Sequence, residues 1–389
     1  MKYDRAFFDA HVNRKNTHAV KWDAGFITSE EDLPMWVADW DFQCAEPIVQ
    51  ALKDRAEHPC YGYTCDDPAD KQSFCDYWQR HHNVTVQPEQ TMMLPCVVTG
   101  LKLAVRAFTG VGDGVVITPP VYGPFRNSIV VNDRVPFEAL LTRDENARYQ
   151  LDFDAVEEQL RRGAKCLMFC NPHNPVSRAW TRKELQKLVD LCNQYGAILL
   201  SDEIHADFVY APNKFISMLT LDGADKCVVA LAAASKTFNV PGLQQAMAMS
   251  HNADLLKKIA HEAECAGVTS GNTFALPATR AAYTSCDDWR AGMLEYLDES
   301  RKIIMEEVPR LLPKAVLSPI EATALCWIDL RAYCDSMDEI MDKLKKHHLI
   351  LNNGTFFGDM AAGFVRLNFA CPHDRLHEGL RRLAAAMND

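Results

Sequence analysis

Runs of consecutive apolar residues alternate with amphipathic segments through the middle of the chain. Between the runs, TGLKLAVRAFTG (99–110), FDAVEEQLRR and residues 181–196 have apolar positions at helical spacing. Thr181 and Glu184 have the spacing of a helix capping box. Continuous apolar strands separated by helices predict an α/β fold in which helices cover both faces of a mostly parallel central sheet. The apolar runs are GVVITPP (114–120), AKCLMFCNP (164–172), AILLSDE (197–203) and CVVALAAAS (227–235).

The pattern changes after about residue 285, which predicts a smaller α+β lobe. A helix capped by Ser336 and Glu339 lies within it, and an amphipathic helix ends the chain. The first 45 or so residues have little periodicity and are expected to wrap across to this lobe. The other elements expected there are a helix near 288–311 and strands at 324–330 and 363–370. We predict a large domain over 46–285 and a small domain formed by 1–45 with 286–389.

Composition narrows the class of protein. The 389 residues are 48% hydrophobic, which is enough for a large core, and the formal net charge is −11. The chain has no long basic run, so nucleic acid and anionic membranes are poor partners. No apolar stretch approaches the roughly 18 residues needed to cross a bilayer. The N-terminus lacks the apolar core of a signal peptide. A cytoplasmic enzyme is the simplest expectation.

The 14 cysteines do not indicate a metal site. They include no Cys-x-x-Cys pair and no Cys/His cluster with zinc spacing. Many lie in apolar runs, as Cys166, Cys170 and Cys227 do, which is typical of buried free thiols in a reducing compartment. The histidines in HHN (81–83) and KKHH (345–348) are expected to be solvated helix ends, so no metal is predicted.

Polar side chains follow the apolar runs at the points where the predicted strands end. In open α/β sheets, ligands bind at the carboxyl ends of the strands. We therefore expect these side chains to face one crevice. They are Asn171 and Asn174, Asp202 and His205, Ser235 and Lys236, with Tyr122 after the first run.

Lys236 is either a solvated surface charge or a nucleophilic amine in that crevice. A Schiff-base amine needs a lowered pKa at neutral pH, which burial at a strand end would provide. Asp202 would be a buried carboxylate in need of a cationic partner, and a protonated pyridine nitrogen is suitable. Asn174 could donate to a phenolate, and Tyr122 could stack on a heteroaromatic ring. Backbone amides in CVVTG (96–100) and the Ser235 hydroxyl could hold a phosphate. These groups together describe a pyridoxal 5′-phosphate (PLP) site.

Four motifs give this constellation a family resemblance. CNPHNP, SDEIHADF, AAASKTFNVPG and GFVRLNFACP occur in an order and spacing that resemble the fold-type I, class I/II aminotransferase superfamily of PLP enzymes. NRKNTHAVKWD, LPMWVADWDF and YGYT are similar to the MalY/PatB-type cystathionine β-lyases, a carbon–sulfur lyase branch. The resemblance runs from residue 13 to about 380, and it implies the PLP-transferase fold.

The resemblance also implies a role for each candidate site residue. Lys236 would bind PLP as a Schiff base, and Asp202 would pair with the pyridine nitrogen. Asn174 would bond the phenolic oxygen, and Tyr122 would stack on the ring. Arg366 would bind the substrate carboxylate in bidentate fashion. The phosphate would be held by the Val97 and Val98 amides, by the Ser235 hydroxyl and by Tyr63 of a neighbouring subunit.

Three positions depart from the pattern of the superfamily. His205 stands where many members have a tyrosine, so a contact with the phenolic oxygen from this position would come from an imidazole. Ala233 replaces a frequent serine, and Gln244 replaces a frequent phosphate-binding arginine. Phosphate binding would then depend more on backbone amides and Tyr63. The lyase branch also tends to lack this arginine.

The activity implied is a PLP-dependent carbon–sulfur β-lyase of the cystathionine β-lyase type. It would cleave cystathionine, cysteine or related S-conjugates to a thiol, pyruvate and ammonia. An aminotransferase is the alternative, because both reactions share the first removal of the α-proton. A homodimer is implied, and some members of the family contact a regulatory protein. Trp36 and Trp40 either line the substrate entrance or pack between the lobes.

Overall fold

The predicted alternation of strands and helices is present in the structure, a computed structural model that describes residues 2–65, 67–268 and 271–389. The α-helices of these residues are α1 (Arg5–Asp9), α2 (Val20–Asp23), α3 (Glu46–Glu57), α4 (Pro68–His82), α5 (Val97–Phe108), α6 (Pro124–Val130), α7 (Phe153–Arg161), α8 (Arg182–Tyr195), α9 (Ala224–Cys227), α10 (Ala234–Thr237), α11 (Ala253–Cys265), α12 (Ala275–Ser285), α13 (Asp287–Leu311), α14 (Met337–Lys346) and α15 (His373–Asn388). The strands are β1 (Leu33–Pro34), β2 (Thr91–Leu94), β3 (Gly114–Ile117), β4 (Val135–Glu138), β5 (Thr142–Arg143), β6 (Tyr149–Gln150), β7 (Cys166–Cys170), β8 (Ile198–Asp202), β9 (Val228–Ala232), β10 (Ala246–Met249), β11 (Val316–Leu317), β12 (Leu325–Asp329), β13 (Leu349–Ile350), β14 (Asn352–Asn353) and β15 (Phe364–Asn368).

Seven of the described strands form the central sheet, in the order β2-β10-β9-β8-β7-β3-β4. The sheet is parallel except around β10, which runs antiparallel to both of its neighbours. Its strands are apolar throughout because both faces are covered. Along β7, Cys166 and Met168 belong to one hydrophobic core, while Leu167 and Phe169 belong to the other.

The predicted capping box begins α8. The Thr181 side chain accepts a hydrogen bond from the Glu184 amide, and the Glu184 carboxylate accepts one from the Thr181 amide at 2.7 Å. Gly196 ends the helix in the left-handed conformation, at φ 65°. These signals at both ends fix where β8 begins, and so where its last residue, Asp202, is placed.

A smaller antiparallel sheet, β11-β12-β15-β14, lies in the C-terminal part of the chain. Helix α15 packs against both α13 and α14 in the same part of the chain. The N-terminal segment joins this part through β1, since Leu33 pairs with Leu349. This arrangement agrees with the expected wrapping of the first 45 residues, and the boundaries at 46–285 and 286–389 stay a prediction.

Two local expectations are wrong. The strand expected at 227–235 ends at Ala232, and Ser235 and Lys236 lie in the helical turn α10, where Phe238 N donates to Ala234 O at 2.9 Å. The HHN segment is not simply solvated. The His82 side chain is only 3% exposed because α4 packs it against Asp207, with its Nε2 3.3 Å from a carboxylate oxygen.

Candidate active site

The carboxyl ends of β3, β7 and β8 border a cavity of about 260 Å³. Parallel pairing sets Cys170 opposite Asp202 and Asp202 opposite Leu231, so the strands end together. The residues that line the cavity come from these strand ends, from the start of α5, from the N-terminal segment and from the smaller sheet. They are Trp36, Val37, Ala38, Pro95, Cys96, Val97, Val98, Tyr122, Cys170, Asn174, Asp202, Ile204, His205, Ala233, Ser235, Lys236, Pro241, Gln244, Gln245, Asn352, Phe356 and Arg366.

Lys236 is inside the cavity and is not a solvated surface charge. Its Nζ donates to the Ala38 carbonyl oxygen, a neutral acceptor. Burial lowers the pKa of Lys236 to about 8, against the attraction of Asp39, and the Arg366 charge lowers it further. A substantial fraction of the amine is therefore neutral in mildly alkaline solution, as a nucleophile or base must be.

Asp202 is a buried carboxylate with little internal support. It accepts a hydrogen bond from the Ile204 amide at 3.1 Å, and burial raises its pKa to about 7. The next residue, Glu203, is equally buried but accepts from Ser201, Ser217 and the Met218 amide at 2.7–3.0 Å. Glu203 is thus committed to structure, whereas Asp202 lines the cavity and can serve a cation.

Arg366 reaches the cavity from β15 in the smaller sheet. Its Nη1 donates to Asn174 Oδ1 at 2.9 Å, its Nη2 donates to the Trp36 carbonyl at 2.8 Å and to Asn352, and its Nε has no partner among the described residues. Burial lowers the pKa of Arg366 to about 10, so it stays charged at neutral pH. Since the Asn174 oxygen is occupied, its amide group is left to donate elsewhere.

Tyr122 and His205 contribute an aromatic surface and a neutral imidazole. Burial raises the pKa of Tyr122, so its hydroxyl stays protonated. Burial, with the charges of Lys236 and Arg366, lowers the pKa of His205 to about 3. His205 Nδ1 is a buried polar atom without a hydrogen-bond partner within the described residues, and His205 is one of the residues that line the cavity.

The side of the cavity expected to hold a phosphate is built from backbone. Val97 and Val98 are the first two residues of α5, and amides in the first turn of a helix have no carbonyl partner within it. Ser235 lines the same cavity. Gln244 is there too, in a left-handed conformation at φ 53°, where the superfamily often has an arginine.

Two predicted residues are outside this cavity. Trp40 is completely buried, and its Nε1 donates to the Lys236 carbonyl. It therefore packs against the helical turn α10 and does not line the substrate entrance. The reason is that the Asn239 amide clamps the backbone of Trp40 with bonds of 2.9–3.0 Å. Tyr63 is fully exposed and is not among the residues that line its own chain's cavity.

The structure adds residues that sequence reasoning missed. The Ala38 carbonyl contacts Lys236, Asn352 accepts a hydrogen bond from Arg366, and Phe356 lines the same cavity. A cluster of two bases and two acids supports the segment that carries Ala38: Arg14 and Lys21 with Asp39 and Asp41. The basic residues of NRKNTHAVKWD and the spaced acids of ADWDF could have indicated such pairing.

The described residues contain neither a metal-ligand cluster nor a membrane-spanning helix. Over 2–65, 67–268 and 271–389, no group of three His, Cys, Asp or Glu side chains could hold a metal ion. None of the helices in the same ranges is long and apolar enough to cross a membrane.

Comparison with known proteins gives one family. A family model described as aminotransferase class I and II matches residues 38–383. PatB, a cystathionine β-lyase of Bacillus subtilis (strain 168), is 38% identical over 98% of this chain and 100% of its own. The structure of PLP-containing cystalysin from Treponema denticola matches with a TM-score of 0.93 and 30% identity over 98% of both chains. A PLP-bound candidate aminotransferase from Clostridium difficile 630 matches with a TM-score of 0.94 and 32% identity over 98% of this chain and 99% of that one.

Proposed function

Because the chain belongs to the class I and II aminotransferase family, we propose that it is a PLP-dependent carbon–sulfur β-lyase. It cleaves cystathionine, cysteine or related S-conjugates to a thiol, pyruvate and ammonia. The observation that carries the proposal is the meeting of Lys236, Asp202 and Arg366 in one cavity, in a chain 38% identical to a cystathionine β-lyase along its whole length.

The residues of the cavity fit PLP. A lysine with a lowered pKa suits an aldehyde, and a buried carboxylate with one hydrogen bond suits a pyridinium nitrogen. Among the described residues, the Asn174 amide is free to donate to the phenolic oxygen and a buried nitrogen of His205 has no partner, and Tyr122 offers its ring. The Val97 and Val98 amides and the Ser235 hydroxyl would hold the phosphate.

The chain's own groups account for substrate binding and proton transfer. Arg366 binds the α-carboxylate, since its guanidinium is charged, buried and able to present two parallel donors. Lys236 Nζ removes the α-proton, because a neutral amine held near the α-carbon acts as a general base. When bound, PLP supplies an electron sink for the electron pair left at the α-carbon.

The rest of the reaction is balanced by water and a proton. The C–S bond breaks, and the sulfur leaves with its electron pair as a thiolate that takes up a proton. Water then converts the remaining three-carbon fragment to pyruvate and ammonia. An aminotransferase would share the α-proton removal at Lys236 and would return a proton elsewhere, so the residues near Lys236 serve either reaction.

The assembly and location are further parts of the proposal. Tyr63 is fully exposed on its own chain, so we place its phosphate contact in the partner of a homodimer. A monomer with full activity would contradict that role.

The thiols of the described cysteines are free, which favours the cytoplasm. We also propose that the chain divides into a large domain over 46–285 and a small domain formed by 1–45 with 286–389. A regulatory protein partner would be a second role, which a pull-down with Lys236-blocked protein tests separately from catalysis.

Pyruvate release separates the two reactions. Purified protein with PLP is given a panel of cysteine S-conjugates, cystathionine included, without any keto acid. We expect a visible cofactor absorbance band, attachment of the cofactor to Lys236 after borohydride treatment, and steady pyruvate formation. Lys236→Ala should lose the attachment and at least ~100-fold in rate. If product appears only after a keto acid is added, the protein is an aminotransferase and not a lyase.

A further inference from the structure

The cavity has few charged groups, and all have a part in the proposed function. Among the lining residues of the described chain, Asp202, Lys236 and Arg366 are the side chains that carry charge near neutral pH, since His205 is held neutral. Asp202 faces the cofactor, Lys236 binds it, and Arg366 binds the α-carboxylate. The lining that this chain's described residues supply therefore offers no further charge to a second ionised group on a substrate.

The charged residues just outside the lining are paired with one another. Arg14 donates to Asp39 at 2.7 and 2.9 Å and to Asp41 at 2.9 Å. Lys21 Nζ donates to Asp41 at 2.9 Å. The Lys21 and Asp41 side chains are 1% and 2% exposed. Turning any member toward a ligand would leave a buried charge without its partner, which is strongly unfavourable.

Two aromatic residues, Trp36 and Phe356, line the same cavity as Arg366. Trp36 is held by its Nε1, which donates to the Lys21 carbonyl at 3.2 Å, and by its own carbonyl, which accepts from Arg366. Phe356 is 48% exposed, and its ring lies 6.1 Å from that of Tyr122. A Cβ at position 123 would lie 2.6 Å from the Phe356 carbonyl oxygen, so Gly123 permits this close approach.

We infer that this site selects cysteine S-conjugates with an uncharged apolar or aromatic sulfur substituent over cystathionine, with Trp36 and Phe356 as the specificity-determining residues. The inference rests on the proposed lyase function and names its substrate class. The distal half of cystathionine carries an ammonium and a carboxylate. Beside Trp36 and Phe356 these groups would lose water without gaining a partner, whereas a propyl or benzyl group gains contact.

The test uses substituents of similar size and different charge. S-propyl-, S-(2-carboxyethyl)- and S-(2-aminoethyl)-cysteine are compared with cystathionine by pyruvate release from the PLP-loaded protein. We expect kcat/KM for S-propyl-cysteine to exceed each charged substrate by at least about tenfold, chiefly through KM. Cystathionine or a charged conjugate cleaved as well as the propyl compound would overturn the inference.

A binding measurement separates this inference from the lyase proposal. The change in cofactor absorbance on adding each amino acid gives a dissociation constant without any need for pyruvate. Binding in the expected order without pyruvate refutes the lyase function and supports the selectivity. Pyruvate release with the reverse order of binding would support the lyase function and refute the selectivity.

Substitution at Phe356 tests the assignment of the residue. Phe356→Arg should shift the ratio of kcat/KM for S-(2-carboxyethyl)- over S-propyl-cysteine upward by at least about tenfold, and Phe356→Leu should keep the preference for propyl. Val111→Arg adds the same charge at an exposed turn before β3, at the edge of the sheet opposite the cavity, and should leave the ratio unchanged. An unchanged ratio in Phe356→Arg would overturn the role of Phe356.

Discussion

Asp202→Asn should stabilise the cofactor-free protein while it weakens cofactor binding. The carboxylate is buried with one hydrogen bond, from the Ile204 amide, and that bond can be kept by the amide oxygen of asparagine. The substitution removes a buried charge that Lys236 compensates only in part and that a cationic ligand would compensate further. A residue that binds a ligand often lowers the stability of the protein when the ligand is absent, and we expect this of Asp202.

The size of the effect follows from the pKa of Asp202, which burial raises from 3.8 to about 7. A group with a raised pKa in the folded state favours folding when protonated, and that advantage is lost as pH rises through about 7. At about 1.4 kcal/mol per pH unit, the ionised carboxylate costs the fold up to ~4 kcal/mol above pH 7 and little near pH 4. Loss of its attraction for Lys236 acts in the opposite direction and is smaller.

Urea unfolding of the cofactor-free protein, followed by circular dichroism at pH 5 and pH 8.5, measures this difference. The gain of Asp202→Asn should be largest at pH 8.5 and less than half as large at pH 5, at about 1.7 kcal/mol by the same slope, and the same variant should bind PLP more weakly. Asp225→Asn makes the same change at an exposed helix position and should move the midpoint little at either pH. A gain that does not depend on pH, or a loss at pH 8.5, would refute the reasoning.

Three more predictions concern Lys236, Arg366 and the buried carboxylate of Asp207. Capture of PLP by the cofactor-free protein, followed by absorbance, should accelerate with pH and be half-maximal near 8, where Lys236 loses its proton; a flat profile contradicts this. Arg366→Lys should raise KM at least about tenfold with less effect on kcat, because a lysine cannot bind a carboxylate through two parallel bonds; an equal loss in kcat would place Arg366 in the chemical step. Asp207→Asn should lower the free energy of unfolding at pH 7 by about 3 kcal/mol in urea titrations, because Arg290 and His82 would lose a buried partner. Burial opposes ionisation of Asp207, but Arg290 and His82 hold its pKa well below 3.8, so its contribution persists above that pH and fades in stronger acid; equal midpoints at pH 7 would contradict the role of this cluster.

The part of the site that the sequence predicted is the part fixed by strand order. Asn174, Asp202 and Lys236 each follow an apolar run, and parallel pairing brings such positions to one edge of a sheet. No hydrophobic pattern could bring Arg366 to the same place, since it lies on a different sheet. Its position was expected from the family resemblance alone.

The placement of Trp40 shows why the N-terminal segment was hard to predict. In an extended strand, residues 36, 38 and 40 would share one face, and both tryptophans would meet the cavity together. The chain bends at 37–39 instead. Contacts with distant residues set that bend, because Asn368 Nδ2 donates to the Val37 and Asp39 carbonyls at 2.6 and 2.8 Å. Local periodicity contains no record of a partner more than 300 residues away.

The same bend connects substrate binding to the lysine. Trp36 and Ala38 are two residues apart, and their carbonyls accept from Arg366 and Lys236 respectively. The Asn174 oxygen also accepts from Arg366. A substrate carboxylate is a stronger acceptor than either neutral oxygen, so it would compete with both for the guanidinium. Its arrival would loosen the hold of Arg366 on Trp36 and on Asn174. Since Trp36 lies in the segment that contacts Lys236, occupation of the carboxylate site can change the surroundings of the base before any proton moves.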